Sequence, residues 1–127
     1  MKDLEKKILQ HLKARKWDNL RPSDVAKSIM IEGAELLEIF QWENLELAEV
    51  KKNKEKMEAV KNELADVLIY CIEMAVLLGL DTEKIIRTKL SFVQKKYPAK
   101  LMKKNTSKEP GTESTYWRIK KKYRKHA

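Results

Sequence analysis

Apolar residues recur every three or four positions along much of the chain, which is the spacing of one face of a helix. The first such stretch, about residues 3–16, predicts an amphipathic helix that ends before Pro22, because proline cannot continue a helix that precedes it. A second apolar stretch predicts a helix that runs from a cap at Ser23 or Asp24 to about Trp42.

Two further apolar stretches predict the longest helix of the chain and the helix that follows it. The longest covers about residues 55–78, and Gly79 is well placed to terminate it. The next begins with a cap at Asp81 and runs to about Lys96. Its inward face is predicted to carry Ile85, Ile86, Leu90 and Val93.

Residues 43–55, between the second and third predicted helices, have no broad apolar face and predict a mobile connection with a short helical turn at most. The chain of 127 residues has the length of one domain. It contains only 3 Gly and 3 Pro, where average usage gives roughly 15 of the two together. Hairpin-rich folds and glycine-rich phosphate loops are therefore disfavoured, and we predict an all-α antiparallel bundle of four main helices.

The net charge of +9 is concentrated at one end of the chain. Residues 100–127 contain 10 Lys or Arg and two Glu, so residues 1–99 are almost neutral. We therefore predict a helical domain over 1–99 and a basic, flexible tail over 100–127. Because aromatic and basic residues alternate in the tail, it suits nucleic-acid binding, a solubilising extension, or a lid over a pocket.

The sequence offers no sign of export or of membrane insertion. Cys71 is the only cysteine and has no partner for a bridge, and the first residues lack the apolar core of a secretory signal. The longest nearly apolar run, Leu64–Ile72, is far shorter than the roughly 20 residues of a membrane span and contains Asp66. We expect a cytoplasmic protein.

Two pairs of acids interrupt otherwise apolar helices: Glu32 with Glu35, and Glu63 with Asp66. A spacing of three places both acids of a pair on one helix face. Asp66 stands alone among apolar residues, so it needs a counter-charge. If the two helices lie side by side, the four carboxylates form an all-oxygen site suited to Mg²⁺ or, less selectively, Mn²⁺. The alternative is that these acids face solvent and form ordinary ion pairs.

The order and spacing of these residues resemble the ExxE…ExxD signature of the MazG-like all-α nucleoside triphosphate pyrophosphohydrolases, in particular their single-domain, dCTP pyrophosphatase-like branch. The resemblance extends over about residues 17–101 and includes Glu38-Ile-Phe-Gln-Trp42, Asp66-Val-Leu-Ile-Tyr70 and Lys96-Tyr97-Pro98. It implies that the four acids hold Mg²⁺, and that the substrate is cleaved between its α and β phosphates to a monophosphate and pyrophosphate. Nucleotide-pool cleaning is the expected purpose.

The resemblance, together with the positions of residues on the predicted helices, suggests roles outside the four acids. Glu35 and Glu38 are the catalytic candidates, Glu38 as a residue that orients water. The substrate-binding candidates are Trp17, Trp42 and Tyr70 for the nucleoside and Lys89 and Lys96 for the phosphates. The bundle is expected to be completed by self-association into homodimers or homotetramers.

Three departures from the family pattern leave the metal ligands intact. Val93 stands where many relatives have an asparagine of the pocket, Arg21 stands where some have histidine, and the basic tail is added. The first two fall on nucleoside-recognition positions, so the base stays open. The alternative function is a non-catalytic helical module that binds nucleic acid, or regulates, through the tail. A purely structural bundle is a third option, but it leaves Asp66 unexplained.

Overall fold

The computed structural model describes residues 1–104 and 114–125. All regular elements in these two ranges are helices, which confirms the predicted all-α class. In chain order the helices are α1 (Lys2–Ala14), α2 (Pro22–Glu38), α3 (Leu47–Lys52), α4 (Lys54–Leu77), α5 (Thr82–Lys96), α6 (Ala99–Lys104) and α7 (Thr115–Lys125). The four-helix arrangement and its completion by a second copy stay predictions. None of the described helices is long and apolar enough to cross a membrane.

The chain forms two compact units, Met1–Thr82 and Glu83–Ala127. The first unit contains α1 to α4, and the second contains α6, α7 and nearly all of α5. This boundary lies earlier in the chain than the predicted functional division after residue 99, which stays a prediction.

The core of the first unit joins α1 to α4. Ile8 and Leu12 of α1 pack against Ile72 of α4, with Val76 and Leu77 beside them. Leu12 has no exposed surface at all. Since α4 also packs along the length of α2, this core fixes the helix that carries two of the predicted metal ligands.

The start of α2 differs from the prediction of a Ser23 or Asp24 cap, which is wrong. Arg21 is the N-cap and Pro22 the first helical residue. The amides of Asp24 and Val25 both donate to the Arg21 carbonyl, at 3.0 and 3.2 Å. The physical reason is that proline has a helical φ and no amide hydrogen to satisfy, so it suits the first position of a helix.

The end of α2 also differs from the prediction, since the helix stops at Glu38 and not near Trp42. Nζ of Lys56 on α4 donates a hydrogen bond to the carbonyl oxygen of Ile39 at 3.3 Å, and it also forms an ion pair with Glu43. Its ammonium group also lies 5.7 Å from the centre of the Phe40 ring. After Glu38 the backbone continues in turns whose hydrogen bonds span three residues, such as the Phe40 amide to the Leu37 carbonyl at 3.0 Å. The Lys56 contacts hold this segment against α4, and sequence periodicity carries no sign of them.

Residues 43–55 contain the predicted short helical turn, which is α3. The backbone amide of Glu46 donates to the Glu49 carboxylate at 3.4 Å at the start of that helix. Asn53 then caps α4, because its Oδ1 accepts from the Lys56 amide at 3.0 Å. At the other end Gly79 has φ of +69°, a left-handed conformation that glycine adopts without strain. The predicted end of the longest helix is therefore confirmed.

In the second unit, aromatic rings pack α7 against α5. Tyr116 stacks on Tyr97 with ring centres 5.0 Å apart, and Tyr123 meets Phe92 edge to face at 5.9 Å. The predicted tail therefore contains two helices, α6 and α7. Its Pro110-Gly111 turn lies outside the described residues.

The prediction that the aliphatic stripe of α5 faces inward is wrong. Ile85, Ile86 and Leu90 are each close to half exposed. With Lys89 and Val93 they line a shallow groove. The physical reason is that α7 packs on α5 at its aromatic residues and leaves this aliphatic stripe open within the unit.

Candidate metal centre and adjoining cavity

The packing of α2 on α4 brings the two predicted acid pairs together. The ligand oxygens of Glu32, Glu63 and Asp66 all lie within 4.8 Å of one another. Glu35 lies beside this group, close enough to Glu32 and Glu63 to raise the pKa of both. One face of each helix thus supplies two carboxylates to a single cluster, as the spacing of three predicts.

The close approach and partial burial of these acids raise the pKa of two of them. A hydrogen bond that protonated Glu32 donates to Glu35 raises the pKa of Glu32 to about 7, and burial and the charges of Glu35, Asp66 and Glu63 add to the effect. Burial is the main cause of a raised pKa at Glu63, followed by its hydrogen bond and repulsion with Glu35 and the charges of Asp66 and Glu38. Protonation or a bound cation would relieve this repulsion.

Within the described part of the chain, no lysine or arginine forms a salt bridge with any of the four acids. In addition, Oε2 of Glu32 and Oε2 of Glu63 are buried without a hydrogen-bond partner. Ordinary surface ion pairs therefore do not account for this cluster, and two buried acceptors are left to be satisfied.

The cluster of Glu32, Glu63 and Asp66, with Glu35 beside it, fits a magnesium ion. All the donors are carboxylate oxygens, the hard ligands that this ion prefers. Oxygens on opposite sides of Mg²⁺ stand about 4 Å apart, which is close to the 4.8 Å limit of the cluster. A cation there would satisfy the two unpartnered oxygens of Glu32 and Glu63 and offset the repulsion.

The acids that are partly removed from water are Glu32 and Glu63, and not Asp66, which the sequence indicates. Asp66 is exposed, whereas Glu32 and Glu63 are half-buried. The expectation that Asp66 is embedded among apolar side chains is wrong, because Leu64, Leu68 and Ile69 beside it are themselves exposed. An apolar run in the sequence does not imply burial when no element of the chain covers that face.

A cavity of about 240 Å³ lies near the acid cluster on the same pair of helices. Ser28 is one turn before Glu32 on α2, and Tyr70 is one turn after Asp66 on α4, and both line it. The full lining is Trp17, Leu20, Asp24, Val25, Ser28, Tyr70 and Glu73. Two of the predicted nucleoside-binding residues, Trp17 and Tyr70, are therefore brought together here.

The other predicted substrate-binding residues are not among those that line this cavity. Trp42 follows the end of α2, is 86% exposed and does not line this cavity. Lys89 and Lys96 belong to the second unit, where their ammonium groups lie 4.8 Å from the centre of the Phe92 ring and 4.7 Å from that of Tyr123. Their roles toward a substrate stay predictions. Glu38, the last residue of α2, lies near enough to Glu63 for its charge to raise that pKa.

Sequence reasoning missed Asp24, Ser28 and Glu73 as lining residues of the cavity. The clearest of the three is Glu73, which is only 6% exposed. It lies seven residues beyond Asp66, on the same face of α4, so the helical spacing that singled out the acid pairs also reaches it. The family motif ends at Tyr70, about one helical turn before Glu73.

Comparisons with known proteins agree with the geometry. The MazG-like family model matches residues 27–111. dCTP pyrophosphatase 1 of Homo sapiens is 26% identical over 110 residues, which is 85% of this chain and 65% of that protein. The Rattus norvegicus protein of the same name is 24% identical over the same shares. The chain thus spans slightly less than two thirds of the length of these curated relatives.

A solved structure extends the similarity to the fold. The crystal structure of a pyrophosphatase from Archaeoglobus fulgidus has a TM-score of 0.68 and 32% sequence identity with this chain. The match covers 77% of this chain and 92% of the archaeal one. The region matched by the family model contains both acid pairs, and the predicted resemblance is confirmed. This chain belongs to the MazG-like family.

Proposed function

We propose that this protein is a Mg²⁺-dependent nucleotide pyrophosphohydrolase. Water adds across the anhydride between the α and β phosphates of a (deoxy)nucleoside triphosphate, and the products are the monophosphate and pyrophosphate. The observation that carries this proposal is the cluster of Glu32, Glu63 and Asp66, with Glu35 beside it, near a cavity with aromatic lining. Among the described residues, no lysine or arginine forms a salt bridge with these acids. The names of the similar proteins, dCTP pyrophosphatase and pyrophosphatase, support the same reaction.

Glu32, Glu35, Glu63 and Asp66 are the residues that would hold the ion. When bound, Mg²⁺ neutralises phosphate charge and lowers the pKa of a coordinated water. The four carboxylates themselves repel a triphosphate strongly, so metal binding decides whether the substrate can approach at all.

Glu35 and Glu38 are our candidates for handling the proton of the attacking water. Both lie on the same face of α2, one turn apart, and the charge of Glu38 acts on Glu63. A carboxylate at hydrogen-bond distance from water can orient it and accept its proton. We assign the orienting role to Glu38, which is exposed at the end of the helix.

The cavity lined by Trp17 and Tyr70 is our candidate for the nucleoside end of the substrate. Aromatic faces stack on bases, and the cavity lies on the same helices as the acids. Lys89 and Lys96 are proposed phosphate contacts, and Trp42 a proposed contact to the nucleoside. We further propose that the protein works as a homodimer or homotetramer and serves to clean the nucleotide pool.

The products distinguish this proposal from other phosphatase reactions. The purified full-length chain is incubated with a deoxynucleoside triphosphate and Mg²⁺, and the products are separated by ion-exchange chromatography. We expect equal amounts of monophosphate and pyrophosphate, and none when EDTA replaces Mg²⁺. Release of diphosphate and single phosphate would show that a different bond is cleaved and would contradict the proposal.

The alternative, a non-catalytic module that binds nucleic acid through its basic tail, is favoured by one feature of α7. That helix displays Arg118, Lys121 and Lys122 beside the partly exposed rings of Tyr116 and Trp117. However, Tyr116 is stacked on Tyr97, and Lys120 lies 5.0 Å from the centre of the Trp117 ring. These aromatic groups already have partners within their own unit, so we rank this alternative second.

A further inference from the structure

The cavity on α2 and α4 contains a buried acidic side chain that the proposed chemistry does not use. Glu73 is 6% exposed and lines the cavity with Trp17 and Tyr70. A carboxyl group removed from water costs free energy unless a donor hydrogen-bonds to it. The Glu73 carboxyl group therefore needs a hydrogen-bond donor.

In the part of the chain that the structure describes, no hydrogen bond or salt bridge reaches the Glu73 carboxyl group. Burial raises its pKa, and the charge of His11 on α1 opposes that rise. His11 itself lies edge-on to Trp17, with ring centres 6.1 Å apart. Asp24, the other acid of the cavity, pairs at 3.8 Å with Lys27. Glu73 is thus the acid of this cavity that is left without a donor.

The cavity lies one to two helical turns from the acid cluster along α2 and α4. Along the helix axes, Ser28 is about 6 Å from Glu32 and Glu73 about 10 Å from Asp66, at about 1.5 Å per residue. A volume of about 240 Å³ is below the roughly 300–1,000 Å³ of sites that take a whole drug-sized ligand. It therefore suits one ring system of a larger molecule whose phosphates stay outside.

We propose that Glu73 selects the base of the substrate by accepting a hydrogen bond from an exocyclic amino group. Cytosine and adenine present such a donor, whereas thymine and uracil present a carbonyl oxygen at the corresponding position. That oxygen would face the ionised carboxylate of Glu73, which has no hydrogen to donate, and acceptors on both sides would stay unpaired. Triphosphates with an amino-bearing base are therefore the preferred substrates. This inference rests on the proposed function.

The test compares dCTP with dUTP, whose bases differ in this donor and acceptor pattern. kcat/KM is measured for both substrates with Mg²⁺ in the full-length wild type, in Glu73→Gln and in the control Glu55→Gln, which changes an exposed residue of the same helix. We expect the wild type and the control to prefer dCTP by about 10- to 100-fold. In Glu73→Gln the ratio should fall to a few-fold, because an amide offers both a donor and an acceptor.

The ratio of two substrates in one preparation does not depend on how much of the protein is folded, so loss of stability alone does not move it. An unchanged ratio in Glu73→Gln, or a wild type that prefers dUTP, would overturn the role of Glu73 while leaving the reaction intact. If the wild type cleaves neither substrate, the proposed function fails instead. Calorimetric binding of dCMP and dUMP to the wild type in EDTA then decides: tighter binding of dCMP supports Glu73 as the selector, and equal affinities refute it.

Discussion

Glu32 and Glu63 are held half-buried and close to other carboxylates although each has an unpartnered oxygen. Such an arrangement destabilises a folded chain in the absence of a cation, since the acids repel one another and are partly removed from water. A bound cation would remove this destabilisation, and the metal binding that we propose fits oxygen donors at this spacing.

The pKa of Glu32 leads to a prediction about stability and pH. It is about 7 in the folded chain against an ordinary value of 4.5, so the folded state holds this proton more tightly than the unfolded state does. The resulting stabilisation is fully present below pH 4.5 and is lost as the pH rises to about 7. In EDTA, Glu32→Gln should therefore unfold at a higher temperature than the wild type at pH 8, with a smaller gain at pH 5.

Thermal denaturation followed by circular dichroism at one protein concentration measures both differences. Glu58→Gln is the matched control, because Glu58 is an exposed residue that pairs only with Lys61 on the same helix, and it should show no such pH-dependent gain. Mg²⁺ at pH 8 should raise the unfolding temperature of the wild type. A gain in Glu32→Gln that is the same at both pH values would contradict the account of the cluster.

The acid pairs could be predicted from the sequence because their spacing of three follows directly from helix geometry. The burial of the individual acids could not. Asp66 lies in the most apolar run yet is exposed, whereas Glu73 lies outside the motif and is buried. Burial depends on which helix packs on which face, and the periodicity of a single helix carries no information about its neighbours.

Among the helices, α1 and α4 depend on each other through a small core. Ile8 and Leu12 are the buried residues of α1, and Ile72 is their partner on α4. Because α4 also carries Glu63, Asp66 and the wall of the cavity, the packing of α1 supports the site without contributing a ligand to it.

Replacement of Leu12 by alanine tests this dependence. Leu12 is fully buried, so Leu12→Ala should lower the free energy of unfolding by about 2–5 kcal/mol through lost burial and a cavity. Leu4→Ala, at a half-exposed position of the same helix, should cost less than about 1.5 kcal/mol. Urea denaturation of the two variants gives both values. Equal losses of unfolding free energy in the two variants would mean that the burial of Leu12 does not stabilise the fold.

The existence of the four main helices and the end of the longest one follow from periodicity and Gly79, and both were predictable. The ends of α2 were less so. Pro22 occupies the first helical position, so the N-cap is Arg21 and not Ser23 or Asp24. The Lys56 ammonium group donates a hydrogen bond to the carbonyl of Ile39, which is 17 residues away in sequence. A contact between residues so far apart cannot be read from a local pattern.

The isolated chain leaves an unusual amount of apolar surface open. Several of its large apolar side chains are more than half exposed, among them Met30, Ile31, Leu37, Trp42 and Leu47. Monomeric proteins seldom display so many large apolar groups, and such surfaces are typically covered by another molecule. This exposure, together with the open stripe on α5, supports the proposed self-association.

Sedimentation velocity of the full-length chain at micromolar concentration tests that proposal. We expect a dimer or a tetramer, because a stable interface buries roughly 1,000 Å² or more and the exposed side chains offer apolar surface for it. The species should persist on tenfold dilution. A single monomeric species across this range would refute self-association and leave the exposed residues without an explanation.

We propose, above all, that the four carboxylates form the metal centre of a triphosphate hydrolase. Pyrophosphate release from a panel of (deoxy)nucleoside triphosphates with Mg²⁺ is compared among the wild type, Asp66→Asn and Glu35→Gln, with helicity checked by circular dichroism. We predict release by the wild type that EDTA abolishes, and a loss of about 100-fold or more in each helical variant, since each removes a charge that holds the ion. No release by a folded wild type, or undiminished release by both variants, would contradict the claim.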